Sequence, residues 1–329
     1  GSQSMVGSDR PSGGGVKGRS LRRGRRRRLP SATSFSTLGP RSVMVPDADA
    51  DAAGPAPPLH TVSTPGDRRV TYAEYGDPDG APVLFLHGTP GSHVLGGLLA
   101  TPAAQSGVRL LAPDRPGFGR STPWPTRTLA DTGAVLTPVL DDAGVESAGV
   151  VGFSGGGPHA LALAATDPDR VDAVDVVAGA PPPSLDHRPP APQRLLTALA
   201  AATPRLLRGL LGLQAWVADR LPPRAVVSQY TSAPDDLPPG VAERVHRDFV
   251  TALATHRRGA VTEFALLARE WDLPLDAVDA PVHLRHGDRD ANAPVEGARR
   301  LRDRLPTADL TVVEGADHLS TLRRCRESV

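Results

Sequence analysis

Ser154 lies at the centre of a Gly-Phe-Ser-Gly-Gly run over residues 152–156. The apolar residues before it, 147–151, predict a strand, and the Gly-Pro that opens residues 157–166 predicts the start of a helix. A serine at a tight strand-to-helix turn, with glycines where the two elements pass closely, presents its hydroxyl as a nucleophile. The helix N-terminus would also favour developing negative charge. The pattern therefore predicts Ser154 as a nucleophile.

A serine hydroxyl is a weak nucleophile until an imidazole takes its proton, and the imidazole needs a carboxylate on its other nitrogen. For a Gly-x-Ser-x-Gly serine the expected chain order is serine, acid, histidine. Asp290 follows a predicted strand at 282–285, and His318 follows another at 310–313. Both loops should lie at the carboxyl edge of a parallel sheet, beside the serine. We therefore predict Asp290 as the acid and His318 as the base.

Other residues could fill these roles, but each has a simpler interpretation. Asp288 is the alternative acid, although it is typical of a turn-forming carboxylate. Asp317 fits a role in its own loop. The remaining candidate bases are expected to be structural or to lie in a helical segment: His87, His159, His246, His256 and His286.

Residues 87–92 read His-Gly-Thr-Pro-Gly-Ser, between a predicted strand and a predicted helix. In enzymes whose nucleophilic serine lies at a strand-to-helix turn of this kind, the corresponding loop supplies one of the backbone N–H groups that bind the oxyanion. Pro90 has no N–H, so Thr89 is the expected donor, with Gly155 as the second. The alternative is a Gly/Pro turn without chemistry.

Short apolar runs separated by helical patterns must position these loops. The sequence predicts strands at 70–75, 83–87, 108–112, 148–152, 174–178, 282–285 and 310–313, and helices at 94–106, 127–142, 157–166 and 294–305. Strand–helix alternation predicts an α/β fold, a mostly parallel eight-stranded sheet with helices on both faces. Its core should comprise residues 59–180 and 280–329.

Residues 181–279 break the alternation with helical patterns divided by proline pairs, which indicates a helical cap, or lid. Its carboxylates could recognise an amine, but a solvated helix face is the expected role. These carboxylates are Asp235, Asp236, Glu243, Asp248, Glu263 and Glu270.

The first 58 residues are rich in Arg, Gly, Ser and Pro and predict a disordered arm. Gly1–Met5 resemble a cloning scar, and the native start could lie near Met44. Residues 1–46 hold ten Lys or Arg and one acid. The arginine run 22–28 could bind nucleic acid or an anionic surface, but no aromatic residues are interleaved with it, so no nucleic-acid partner is expected.

The whole chain of 329 residues has a net charge of +1 and 39% hydrophobic residues, enough for a core. It contains no apolar run of roughly 18 residues, so no membrane partner is expected.

One cysteine, Cys325, fits a reducing compartment, so we expect a cytoplasmic protein. Lys17 is the only lysine, and arginine in its place is typical of a high-GC bacterium. No metal-ligand cluster or dinucleotide fingerprint is evident, so we expect no cofactor and a small-molecule substrate, and a homodimer is an open alternative.

Taken together, five motifs resemble the α/β-hydrolase superfamily over roughly residues 60–329. They are His87-Gly88, the Asp-Arg-Pro-Gly-Phe-Gly-Arg-Ser run at 114–121, the serine turn, His-Gly-Asp-Arg-Asp at 286–290 and Gly-Ala-Asp-His at 315–318. In the family's His-Gly-x-x-Asp pattern the final aspartate is the catalytic acid, which corresponds to Asp290. Family histidines usually follow a glycine, where this chain has Asp317.

The resemblance specifies the fold and the triad better than the substrate. The loop at 87–92 is partly similar to the His-Gly-Gly-Pro-Gly of proline iminopeptidases, with Thr89 in place of a glycine. Epoxide hydrolases and haloalkane dehalogenases of this fold use an aspartate nucleophile. Ser154 at that position argues against both enzyme classes.

The expected activity is hydrolysis of a small-molecule ester or related acyl compound through an acyl-enzyme on Ser154. One alternative is a biosynthetic enzyme that performs non-hydrolytic, C–C bond, lactone or amide chemistry, including aminopeptidase chemistry, in the same pocket. Another is a ligand-binding protein without catalysis.

Overall fold

A computed structural model describes residues 56–185 and 189–324 of the chain. Most of the predicted N-terminal arm, and Cys325, lie outside these residues.

Eight strands form one mixed sheet, as predicted. They are β1 (Leu59–Thr64), β2 (Arg68–Gly76), β3 (Ala81–Leu86), β4 (Val108–Pro113), β5 (Ala148–Phe153), β6 (Val171–Val177), β7 (Val282–Gly287) and β8 (Ala308–Val313). Their order across the sheet is β1-β2-β4-β3-β5-β6-β7-β8. β1 is antiparallel to β2, and β2 is antiparallel to β4. The remaining strands, β3 to β8, all run parallel to one another. The carboxyl ends of β3, β5, β7 and β8 therefore meet at one edge.

The described residues form ten α-helices. They are α1 (Ala100–Gln105), α2 (Thr132–Asp142), α3 (Gly157–Thr166), α4 (Ala191–Ala202), α5 (Pro204–Ala218), α6 (Pro223–Val227), α7 (Val241–Ala254), α8 (Arg258–Leu267), α9 (Val295–Arg302) and α10 (His318–Arg324). The predicted helix at 94–106 is divided, with a 3₁₀ helix at His93–Leu99 followed by α1. The Gly96–Gly97 pair weakens α-helix formation in the first half, because glycine loses the most backbone entropy on ordering.

The central strands are buried on both faces, which explains their continuous apolar runs. Leu84 and Leu86 of β3 pack into a cluster with side chains of α2 and α3. Val83 and Phe85, which point to the opposite face, pack into a second cluster with side chains of α1 and α10. Helices thus cover both faces of the sheet and hold the loops at its edge in fixed positions.

Two strands differ from the sequence prediction, which does not include β1 and starts β6 later than the structure does. β1 is an edge strand with alternating exposure, and its only aliphatic side chains, Leu59 and Val62, give a weak periodic signal. β6 begins at Val171, earlier than predicted, because the exposed Asp172 interrupts its apolar run.

The segment between β6 and β7 contains α4 to α8, and no strand occurs in its described part. We refer to residues 181–279 as the helical insertion. Several of its helices share a buried cluster that includes Leu207, Phe249, Leu253 and Phe264. In the part of the chain that the structure describes, no helix is long and apolar enough to span a membrane.

Candidate active site

Ser154 occupies a sharp turn between β5 and α3. Its φ of +52° lies in the left-handed region, a costly conformation for a residue with a side chain. The flanking glycines are required by close approach: a Cβ on Gly152 would lie 2.7 Å from the carbonyl oxygen of Gly156, and a Cβ on Gly156 would overlap the carbonyl oxygen of Leu86. The sequence thus builds a strained turn that presents the Ser154 side chain at the end of β5.

Asp290 and His318 are joined at the same edge of the sheet. His318 Nδ1 donates to Asp290 Oδ2 at 2.7 Å, and both side chains are buried. The other oxygen, Oδ1, accepts the backbone N–H groups of Asn292 and Ala293, each at 2.9 Å. These bonds fix the carboxylate against the imidazole. Asp288 is exposed, which fits its interpretation as a turn residue.

The His318 ring packs against the ring of Phe153, with 4.9 Å between centroids. Ser154 and His318 line one cavity, together with Gly88, Thr89 and Gly155. The structure therefore gathers all five predicted site residues, four of them at the cavity wall and Asp290 behind His318.

Asp317 holds the histidine loop in place. It accepts hydrogen bonds from the Thr231 hydroxyl at 2.6 Å and the Ser232 N–H at 2.9 Å, and from the Ser320 N–H at 2.9 Å. Burial alone would raise the pKa of Asp317, but these bonds outweigh it and hold the pKa at about 2. Asp317, at the position where family members usually have glycine, thus links the start of α10 to the helical insertion through hydrogen bonds.

The loop after β3 lies directly beside the serine turn. A Cβ on Gly155 would overlap Thr89 Oγ1 and lie 3.4 Å from Thr89 N. His87 Nδ1 donates to the carbonyl oxygen of Gly88 at 2.8 Å, and its Nε2 accepts the Arg115 N–H at 3.2 Å. Burial, followed by the nearby Arg115 charge, lowers the pKa of His87 well below its ordinary value. His87 is therefore a neutral structural residue, in agreement with the sequence interpretation.

Arg115, buried at 1% exposure, reaches this loop from the motif after β4. Its guanidinium donates to the carbonyl oxygen of His87, to that of Gly88 at 3.1 Å and to Thr89 Oγ1 at 3.1 Å. A planar guanidinium presents its donors in a fixed geometry, so these bonds fix the backbone of the loop.

Glu263 of α8 completes a buried charged cluster. Its carboxylate accepts hydrogen bonds from Arg115 Nη2 at 3.1 Å, His159 Nε2 at 3.0 Å and Thr89 Oγ1 at 3.1 Å, and it also binds Arg127. Burial would raise the pKa of Glu263, but Arg115, His159 and Arg127 hold it well below its ordinary value. The expectation of a solvated carboxylate is wrong here, because Glu263 is fully buried and links the insertion to the loop after β3.

The same expectation is wrong for Asp248 of α7, which is also buried. Its Oδ1 accepts the backbone N–H and the hydroxyl of Ser92, both at 2.7 Å. Burial raises the pKa of Asp248 to about 7. The other four carboxylates are exposed, as expected: Asp235, Asp236, Glu243 and Glu270.

The sequence carries a signal for the burial of Glu263. On a helix, Glu263 shares a face with Ala260 and Leu267, three residues before and four after it. A carboxylate on an apolar helix face needs a cation if it is buried, and Arg115 lies in a motif already associated with the site. The pairing itself required the three-dimensional structure.

The cavity beside Ser154 has a volume of about 500 Å³. Its walls are mostly apolar and come from both the sheet edge and the helical insertion: Leu95, Phe153, Leu196, Leu211, Phe249 and Phe264. Gln193, Gln214 and Asn292 add polar groups. A site of this size and composition suits a small organic molecule with an apolar portion.

A family model described as "alpha/beta hydrolase fold" matches residues 81–323. The chain belongs to the α/β-hydrolase fold family. This α/β-hydrolase is also similar to a solved structure, an α/β-hydrolase fold protein from Nakamurella multipartita, with 25% identity, a TM-score of 0.60 and coverage of 82% of this chain and 98% of that one. The match confirms the resemblance drawn from the five motifs.

Several curated relatives of the α/β-hydrolase carry the names of hydrolytic enzymes. It is 30% identical to "Putative carbamate hydrolase RutD" of Caulobacter sp. strain K31, over 66% of this chain and 76% of that protein. It is 34% identical to the proline iminopeptidase of Neisseria meningitidis serogroup A, over 31% of this chain and 34% of that protein. It is 31% identical to the uncharacterized hydrolase YcgS of Bacillus subtilis, over 28% of this chain and 32% of that protein. The last two matches thus span about a third of each relative.

Proposed function

We propose that this α/β-hydrolase cleaves a small-molecule carboxylic ester through a covalent acyl-enzyme on Ser154. The observation that carries the proposal is the 2.7 Å bond between His318 Nδ1 and Asp290 Oδ2, at the wall of the cavity that Ser154 also lines. A carboxylate on Nδ1 sets the tautomer in which Nε2 can accept a proton, and it stabilises the imidazolium that results.

In the first half of the reaction, Ser154 Oγ attacks the ester carbonyl carbon while His318 Nε2 accepts the hydroxyl proton. The carbonyl oxygen becomes an oxyanion, which the backbone N–H groups of Thr89 and Gly155 stabilise. When the tetrahedral intermediate collapses, the carbon–oxygen bond to the alcohol breaks and His318 returns the proton to the departing oxygen. Water then attacks the acyl-enzyme with His318 as the base, which releases the acid and restores Ser154.

The oxyanion site depends on the loop after β3 being held rigidly. Arg115 binds two carbonyl oxygens of that loop and the Thr89 hydroxyl, and Glu263 binds both Arg115 and the same hydroxyl. Preorganised donors stabilise developing charge without reorganising during the reaction, and loss of one typically costs about 3 kcal/mol. Arg115 and Glu263 are thus positioning residues for the Thr89 N–H.

The mostly apolar cavity suits an ester with an apolar acyl or alcohol group. The helical insertion acts as the cap that encloses this cavity. An amine substrate is less well supported. The two buried carboxylates of the insertion are already engaged, Asp248 by Ser92 and Glu263 by two arginines. The aminopeptidase alternative suggested by the iminopeptidase resemblance would have to place its amine beside Asp248, the one of these two carboxylates that lines the cavity.

Hydrolysis of p-nitrophenyl esters of increasing acyl length tests the proposal. Ser154→Ala should lose at least about 10⁴-fold in kcat, and Asp290→Asn about 10³–10⁴-fold, because the amide sets the wrong imidazole tautomer. Asp288→Asn is the matched control in the same loop and should retain activity. Turnover by Ser154→Ala but not by His318→Ala would contradict an acyl-enzyme and favour chemistry in which the histidine acts alone.

A further inference from the structure

The outer surface of α4 and α5 concentrates exposed apolar side chains. Among the described residues, Leu59 is the only large apolar side chain exposed elsewhere. The others, between 38% and 60% exposed, define what we call the α4–α5 face: Leu195, Leu206, Leu210, Leu213, Trp216, Val217 and Leu221.

The spacing along α5 makes this face a continuous stripe. Leu206, Leu210, Leu213 and Val217 are separated by four, three and four residues, so they lie on one side of the helix. Leu207 and Leu211 each follow a member of the stripe by one residue, so they lie about 100° further round the helix, where they are buried in the core of the insertion. The helix is therefore apolar on two adjacent sides, and burial within the chain accounts for only one of them.

The charged side chains on α4 and α5 themselves are all positive. Arg194, Arg205 and Arg208 are exposed on α4 and α5, and residues 189–218 contain no Asp or Glu. The first acid is Asp219, after α5 ends. Trp216, at 56% exposure, adds an aromatic ring of the kind that favours the boundary between water and lipid.

We propose that the α4–α5 face docks onto an anionic lipid surface, with its leucines in the outer acyl region and its arginines against the phosphate groups. An apolar stripe with a basic flank is the composition that binds such interfaces. A second copy of the chain fits less well. A twofold contact through this face would place the arginines of α4 and α5 against themselves, and the nearest acid in sequence, Asp219, already pairs with Arg220.

Docking would also bring the cavity to the lipid. Leu196 of α4 and Leu211 and Gln214 of α5 line the cavity from the inner side of the same two helices. If the proposed esterase function holds, esters dissolved in the membrane would then reach Ser154 from this side. The proposal differs from the expectation of no membrane partner, which rests on the lack of a membrane-spanning run and does not address an interfacial helix.

Binding of the full chain to phosphatidylcholine vesicles, with and without 30% phosphatidylglycerol as a chosen composition, tests the proposal. We expect binding to the anionic vesicles, with a shift of Trp216 emission to shorter wavelength that is lost in Trp216→Phe. Leu210→Gln combined with Leu213→Gln should weaken binding about tenfold or more, as should Arg205→Gln combined with Arg208→Gln. Leu59→Gln, which removes the exposed leucine far from the insertion, should bind like the unchanged chain.

The outcomes separate the possible causes. The arginines of residues 1–46 can attract anionic vesicles by themselves, so binding without the Trp216 shift, or binding unaffected by the α5 substitutions, would overturn the proposal. A concentration-dependent dimer that the leucine pair abolishes would overturn it in favour of a second copy. Ser154→Ala should bind vesicles normally, so failure of the esterase assay and failure of the binding assay are distinguishable.

Discussion

Glu263 is a buried carboxylate that binds four side chains around the site. Replacing it by glutamine removes the negative charge and leaves the side-chain volume nearly unchanged. The carboxylate is 0% exposed and lies against two guanidinium groups, Arg115 at 3.1 Å and Arg127. Glutamine leaves two buried cations without a counter-charge and cannot accept all of their hydrogen bonds. Removing one partner of a buried ion pair costs about 3–5 kcal/mol, because the remaining charge stays desolvated. We expect Glu263→Gln to lose about that much stability.

Calorimetric unfolding measures this loss as a fall in Tm on the order of 10 °C. Glu243→Gln is the matched control, since Glu243 is an exposed carboxylate on α7 of the same insertion. Its effect should stay within about 0.5 kcal/mol. A Tm for Glu263→Gln equal to that of Glu243→Gln would refute the reasoning, because it would mean that the buried cations need no anion.

A double-mutant cycle isolates the charge effect from other consequences of the substitution. Arg127→Gln removes one of the two cations, so Arg127→Gln combined with Glu263→Gln should cost less than the sum of the two single changes. Strict additivity would indicate that Arg127 and Glu263 do not interact in solution.

Three further predictions concern single side chains. Burial holds the pKa of Asp248 at about 7 against an ordinary 3.8, so its contribution to stability is present below about pH 4 and is lost as pH rises through 7, by at most on the order of 4 kcal/mol. Asp248→Asn should therefore gain Tm relative to the unchanged chain between pH 5 and pH 8, and an unchanged difference would contradict the pKa. Gly156→Ala should abolish soluble expression or ester hydrolysis, because its Cβ would overlap the carbonyl oxygen of Leu86. Gly209→Ala, at a helical position where no atom other than the helix's own backbone lies within 4 Å of the added Cβ, should instead stabilise the chain by about 0.5–1 kcal/mol in the same Tm measurement.

The sequence alone is enough to predict the strands and turns that have strong local signals. The strands β3 and β5 are apolar because both of their faces are buried, and the turn after β5 needs glycines because Gly152 and Gly156 touch backbone atoms. Chain order and the rule that parallel strands end at one edge place the loop of Asp290 beside that of His318, and the family's His-Gly-x-x-Asp pattern separates Asp290 from Asp288. These inferences depend on contacts between residues whose relative position is set by the sheet itself.

The helical insertion was less predictable because its contacts are long-range. Glu263 and Arg115 are 148 residues apart in sequence, and nothing local to α8 indicates that an arginine after β4 reaches it. Asp248 meets Ser92 across 156 residues in the same way. Whether such a carboxylate is solvated or buried depends on partners distant in sequence, which residue type and local spacing do not reveal.

Labelling by a fluorophosphonate probe tests the central claim, that Ser154 is a nucleophile activated by His318 and Asp290. We predict that the unchanged chain is labelled at a single site, that digestion and mass spectrometry place the probe on Ser154, and that Ser154→Ala is not labelled. Labelling of His318→Ala should be strongly slowed, because no base remains to take the hydroxyl proton. Undiminished labelling of Ser154→Ala, or a probe found on another residue, would contradict the account.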